Sequence, residues 1–135
     1  MKRIMIVEND LNVQEKLVNL LQGNRYHVSY LDDFSYILDD IKMSNPHLIL
    51  LDIDLPDRNG FSVCRKIRAY TDVPIIFVAS HKTDIDELKS IMRSEDVYIM
   101  KPYSTIVLLT HIHALLKDSN ATQYITTLAQ TSTAR

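Results

Sequence analysis

Glycine is scarce in this chain. The 135 residues hold two glycines, one cysteine and no tryptophan. Average usage of about 7% would give roughly nine glycines. The deficit excludes the glycine-rich phosphate cradles of P-loop and dinucleotide-binding proteins, and collagen-like repeats. A single cysteine, Cys64, cannot form an internal disulfide and fits a reducing cytosol. No apolar run approaches the roughly 20 residues that cross a bilayer. The opening MKRIMIVEND has an apolar run that stops at Glu8, so it reads as neither signal peptide nor anchor. A formal charge of −2 gives no basic footprint for nucleic acid.

What is present is an ordinary globular composition, 46% apolar and 24% charged, at a length that suits one domain. Five apolar runs stand out: Arg3–Glu8, Tyr26–Leu31, His47–Asp52, Pro74–Ala79 and Asp96–Met100. The first, third and fourth are nearly continuous in aliphatic residues, as in strands covered on both faces. The second alternates, which suits a sheet edge. Between the runs, residues 10–22, 33–44, 60–69, 83–93 and 104–117 show helical spacing. Asp10 is a candidate N-cap, the fifth segment starts at Ser104, and Thr83-x-x-Asp86 resembles a capping box. Gly23 is expected to end the first helix. In the fifth segment Leu109, His113 and Leu116 fall on one apolar stripe. Strict alternation of the two patterns predicts a (βα)₅ chain with helices on both faces of a parallel sheet. Cys64 falls on the apolar face of the third helix and reads as core. Residues 118–135 are rich in Thr, Ser, Ala and Gln and read as a linker or C-terminal extension, leaving 1–117 as the domain. The Asn120-Ala121-Thr122 sequon in that stretch has no meaning in a cytosolic chain.

In open parallel sheets, ligands bind beyond the carboxyl ends of the strands. Those ends carry Glu8-Asn9-Asp10, Asp52-Ile53-Asp54, Ala79-Ser80-His81 and Lys101-Pro102. Carboxylates from separate strands attract a hard divalent cation such as Mg²⁺. With a lysine, such a cation can screen a transferring phosphoryl group. An Asp carboxylate can itself be the nucleophile, forming an acyl phosphate. Asp52 ends the most apolar run and is the candidate.

These residues resemble the receiver domain of bacterial two-component response regulators. The motifs are Ile-Val-Glu-Asn-Asp after strand one, Leu-Leu-Asp-Ile-Asp-Leu-Pro-Asp-Arg-Asn-Gly after strand three, and Tyr98-Ile-Met-Lys101-Pro102-Tyr103 at strand five. The likeness runs from about Arg3 to Lys117 and is strongest to the winged-helix (OmpR/PhoB-type) class. It implies a flavodoxin-like, CheY-like sheet of order 2-1-3-4-5, a phosphoacceptor at Asp52 and a conserved-type lysine at Lys101 followed by a cis proline. It implies Mg²⁺ held by Glu8, Asn9, Asp52 and the backbone carbonyl of Asp54, and a rotameric aromatic switch at Tyr98. It also implies a cytoplasmic protein, not itself an enzyme, with a sensor histidine kinase as donor. A homodimer through helix 4, strand 5 and helix 5 would use Ile91, Val97, His111 and His113, and DNA would be met only through an effector domain absent from this chain.

The sequence departs from that pattern in two places. The second acidic position is Asn9, which removes a negative charge and weakens or abolishes Mg²⁺ binding. The switch hydroxyl falls on Ala79, and Ser80 would replace it only if strand 4 were shifted by one residue. Both departures point to an atypical receiver acting largely without phosphorylation. A rival reading is an aspartate-nucleophile phosphatase of haloacid-dehalogenase type, from Asp52-x-Asp54, although Pro56 stands where that family has Thr or Val.

Overall fold

The computed structural model describes residues 1–31, 33–56 and 60–117. The expectations for Asp57 in the middle motif and for the 118–135 extension lie outside the described residues. The aliphatic runs become β1 (Arg3–Val7), β3 (Leu48–Asp52) and β4 (Ile75–Ala79), and they occupy the middle of the sheet. The order is β2-β1-β3-β4-β5, with all pairs parallel. The alternating run forms β2 (His27–Leu31) at one edge, and β5 (Val97–Met100) forms the other. Central strands must be apolar on both faces because helices cover both. An edge strand has fewer neighbours and tolerates polar side chains.

Alternate strand residues feed two cores. Ile4, Ile6, Leu48, Leu50, Ile76, Val78 and Ile99 pack against Leu17 and Leu21 of α1 (Leu11–Gly23) and against Leu108, Leu109, Ile112 and Leu116 of α5 (Thr105–Leu116). Met5, Val7, Ile49, Leu51, Ile75 and Phe77 meet α2 (Ile37–Ser44), α3 (Gly60–Tyr70) and α4 (Ile85–Ile91) on the other face. Cys64 is fully buried in this second core, and burial pushes its thiol up to about 12. It is inert filling, as its helix face predicts.

The helix ends show what propensity left open. Asp10 caps α1, accepting hydrogen bonds from the Asn12 and Val13 N–H groups, and Ser104 caps α5 through the Val107 N–H. Helix α2 starts later than residue 33, because the Asp33 carboxylate accepts the Ser35 N–H at 3.0 Å and holds the chain in an Asx turn. Thr83 does not cap α4. Residues Lys82–Asp84 form a single 3₁₀ turn instead. Gly23 does not make the helix reversal either. The left-handed residue is Arg25, at φ 67°, while Asn24 ties back to the Leu20 and Leu21 carbonyls. Gly60, by contrast, is obligatory, since a Cβ there would overlap the Ile53 carbonyl. His113 is 1% exposed and stacks near Tyr26, with ring centroids 5.8 Å apart. It therefore cannot contribute to a dimer surface. The apolar stripe it shares with Leu109 and Leu116 decides its place.

One buried ion pair escaped the sequence reading. Arg68 and Asp96 are 5% and 7% exposed, and the Arg68 guanidinium meets both carboxylate oxygens, at 2.6 and 3.0 Å. The same carboxylate accepts the Ile75 and Arg93 N–H groups, and Arg68 also donates to the Thr71 and Val73 carbonyls. This network fastens the end of α3 and the starts of β4 and β5. It also stops α4 at Ile91 by recruiting the Arg93 amide. Removing one partner leaves a buried charge uncompensated, which costs about 3–5 kcal/mol. Arg68→Ala or Asp96→Ala should lower the urea midpoint correspondingly, with an unchanged slope.

Candidate functional site

The site is built where β1, β3 and β5 end. Sheet pairing continues one residue beyond the strands: Ile53 N–H donates to the Val78 carbonyl, and Lys101 N–H to the Ala79 carbonyl. These bonds fix the backbones that carry Asp52 and Lys101. The Lys101 Nζ lies 2.5 Å from Asp52 Oδ2 and 3.4 Å from Asp54 Oδ2. Asp52 Oδ1 accepts the Asp54 N–H at 2.8 Å. Ser80 donates its hydroxyl to Asp54 Oδ2 at 2.5 Å. Glu8, 4% exposed, accepts the Asp10 N–H at 3.1 Å through Oε1. Gln14 is buried on α1 and donates to the carbonyls of Glu8 and Leu31, fixing the end of β1.

Two carboxyls share this pocket. Burial, then a hydrogen bond to Asp52 and the charge of Asp52, push Glu8 up from 4.5 to about 8. At neutral pH Glu8 mostly keeps its proton, while Lys101 balances Asp52. Burial alone would lower the Lys101 ammonium. The Asp52 hydrogen bond and the charges of Asp52, Asp54 and Glu8 outweigh it and hold Lys101 above its ordinary value. Tyr103, half-buried beside the site, is pushed up by burial and by the charges of Glu8 and Asp52.

Of the residues singled out in the sequence, Glu8, Asp52, Asp54, Ser80 and Lys101 come together. Asn9 is exposed between β1 and α1. Ala79 is fully buried in the core facing α2, α3 and α4, and it pairs with Met100 in an unshifted register. Ser80 therefore joins the site without the expected slip of β4, and through Asp54 rather than Asp52. Tyr98 is half-buried against that same core. Ile91, Val97 and His111 are half-buried near the β5 edge. The Lys101–Pro102 peptide is cis. Gln14 and Tyr103 were missed as site neighbours. Gln14 sits at a position on α1 where an aliphatic residue would be ordinary, and that was its only signal. Among the described residues no three His, Cys, Asp or Glu side chains group to hold a metal ion. The donor set is the carboxylates of Glu8 and Asp52, hard oxygen ligands whose shared proton a divalent cation would displace. That chemistry fits Mg²⁺.

A parallel five-stranded sheet that brings an Asp, a bridging lysine and a second acid to its carboxyl edge is the architecture of a receiver-type signalling domain. The chain matches the response regulator receiver domain family over residues 4–113 and belongs to it. It is 33% identical over 115 residues to the response regulator protein GraR of Staphylococcus haemolyticus, covering 85% of this chain and 51% of that protein. The chain thus spans about half the length of the curated relatives it matches. Among solved structures, it matches the N-terminal domain of the nisin resistance regulator NsrR at TM-score 0.76 and 34% identity, covering 86% of this chain and 98% of that one. It matches the response regulator TrrA of Thermotoga maritima, solved in complex with Mg²⁺ and BeF, at 0.74 and 27%, covering 85% and 99%. The chain is a receiver domain of a two-component system. Receiver domains are generally not enzymes, typically bind Mg²⁺ at this site, and take their phosphoryl group from sensor histidine kinases. No helix among the described residues is long and apolar enough to cross a membrane. Nothing in these likenesses supports the phosphatase reading.

A carboxyl whose pKa rises on folding stabilises the fold below its unfolded value, and that contribution is lost as pH rises through the folded value. For Glu8 the window runs from 4.5 to about 8. Without divalent cations, Glu8→Gln should match the parent near pH 4. By pH 8.5 it should exceed the parent by several kcal/mol, read as a markedly higher Tm.

Proposed function

We propose that this chain is an atypical receiver of the winged-helix, OmpR/PhoB-type class, in which Asp52 is the acceptor of a weakened phosphorylation site and the output face works largely without it. The reading rests on the hydroxyl at the end of β4. Ser80 is held by Asp54, and the strand's last residue, Ala79, has no hydroxyl to follow a phosphoryl group. A ligand shifts an equilibrium only through contacts that differ between the two states, and here one such contact is missing.

In the reaction, a carboxylate oxygen of Asp52 attacks the phosphorus of a phosphohistidine or a small acyl phosphate. An acyl phosphate forms, and the imidazole or carboxylate leaves with the bonding electrons. Lys101 already bridges Asp52 and Asp54 and would keep its charge against the incoming oxygens. Glu8, Asn9, Asp52 and the Asp54 carbonyl would hold Mg²⁺, whose charge offsets that of the phosphoryl oxygens. Asn9 contributes an amide oxygen without charge, so occupancy falls.

Residues 1–117 form the receiver in this reading, and 118–135 the linker to a DNA-binding effector. A cytoplasmic sensor-kinase circuit responding to a lantibiotic would suit the likeness to the nisin resistance regulator NsrR. A homodimer would form on α4, β5 and α5 through Ile91, Val97 and His111. Two features favour it: β5 is an edge strand, and Val107 on α5 is 45% exposed.

Acetyl phosphate with Mg²⁺ should add phosphoryl mass to a minor fraction of the chain, and none to Asp52→Ala, with elution volume unchanged. Asn9→Asp should tighten Mg²⁺ about tenfold, a 1.4 kcal/mol change, and raise the phosphorylated fraction. Near-complete phosphorylation of the parent with a change in oligomeric state would overturn the proposal.

A further inference from the structure

The opposite end of the sheet, where the strands begin, carries a second charged feature that the phosphoryl site does not use. A depression of about 500 Å³ opens there, lined by Lys2 before β1, Arg25 between α1 and β2, His47 before β3, and Lys117 after α5. Tyr26 and Leu116 form its apolar wall. No Asp or Glu is among the described residues that line it.

The three cations come from three separate segments, and hydrogen bonds fix the backbone of each. The Lys2 carbonyl accepts the His27 N–H at 2.9 Å, Arg25 N–H donates to Gln22 at 3.0 Å, and Lys117 N–H to Ala114 at 3.3 Å. Two of the three sit in the left-handed region, Arg25 at φ 67° and Lys117 at φ 55°. Glycine or asparagine is the ordinary occupant of such helix-end positions. This glycine-poor chain puts long cationic side chains at both, around one hollow. Non-glycine residues held in that region cluster at functional sites.

The imidazole of His47 adds a donor pair. Its Nδ1 accepts the Arg3 N–H at 2.9 Å, which assigns the neutral ring's proton to Nε2. An Arg3 guanidinium nitrogen lies 3.4 Å from that same Nε2. Burial, then the charges of Arg3 and Lys2, lower the His47 pKa and keep the ring neutral.

We infer that this hollow at the amino edge of the sheet is a binding site for a phosphoanhydride-bearing small molecule, held by Lys2, Arg25 and Lys117 with His47 as a neutral donor. Cationic side chains give the strong, short hydrogen bonds that phosphate oxygens accept. Its volume falls in the range of small-molecule sites, and it lies at the far end of the sheet from Asp52.

The test is calorimetric titration of the full chain, in 0.15 M NaCl without divalent cations, with pyrophosphate and with adenosine diphosphate. Arg25→Asn and Lys117→Asn suit the left-handed backbone, so both should fold with an unchanged or raised Tm. Saturable binding is expected, weakened about tenfold in each of these variants and retained in Lys101→Ala, which disables the phosphoryl site instead. Tighter binding of the nucleotide would identify an organic phosphoanhydride resting on Tyr26 and Leu116, and equal binding the bare anion. Both results support the site. Absence of saturable binding, unchanged affinity in the two asparagine variants, or loss in Lys101→Ala would overturn it. The first two outcomes would leave the cations as partners of the α1 and α5 carboxyl ends alone.

Discussion

The ion pair between Lys101 and Asp52 is the interaction on which the site depends. It spans two strands that are not neighbours in the sheet, β3 and β5, with β4 between them. It can form only if all three strands are parallel and in the observed register. The aliphatic runs that build the central strands, and the buried Arg68–Asp96 network that anchors the start of β5, are thus conditions for the chemistry at the far end. Asp52 is nearly buried and tolerates its charge because Lys101 and the Asp54 amide meet its two oxygens. Glu8, the second acid, has no cation to itself and keeps its proton. The electrostatics of the pocket therefore follow from having one lysine for two buried carboxyls, and Asn9 adds no charge to the set.

Much of this was legible in the residues. The apolar runs gave the five strands and, through its alternation, the edge place of the second, because burial on both faces demands continuous aliphatic sequence; the strand order came with the family resemblance. The strand-end polar residues gave Glu8, Asp52, Asp54 and Lys101, because strand order converts distant positions into neighbours. What was not legible depended on side-chain direction and local competition. The Asx turn at Asp33 delayed α2, and the capture of the Arg93 amide by Asp96 shortened α4. Neither effect is visible in hydrophobic spacing. β4 keeps its register, so Ser80 does not take the switch position, and as the first residue beyond the strand it bonds Asp54 instead. His113 was assigned to a surface by analogy, while the periodicity of its own helix had already put it inside.

The scarcity of glycine acquires meaning at two ends of the molecule. At the carboxyl edge, the proposed phosphoryl site would use lysine, carboxylates and strand-end amides, so no glycine-rich loop is needed. Gly60 is the exception, required by its contact with Ile53. At the amino edge, helix reversals that glycine usually makes are made by Arg25 and Lys117. The fold is intact at both ends. In the proposed reading, what is altered is the link between the carboxyl edge and the β5 edge, where Ala79 stands in the place of a hydroxyl that would sense the phosphoryl group.

The central claim is that the acceptor site and the α4–β5–α5 face are weakly coupled. It is tested most directly by backbone amide NMR of the full chain, titrated with beryllofluoride and Mg²⁺. The account predicts that chemical shifts change at Glu8, Asp52, Asp54, Ser80 and Lys101 and stay within linewidth at Ile91, Val97, Tyr98 and His111. Shifts at the second group that saturate together with those at the first would contradict it.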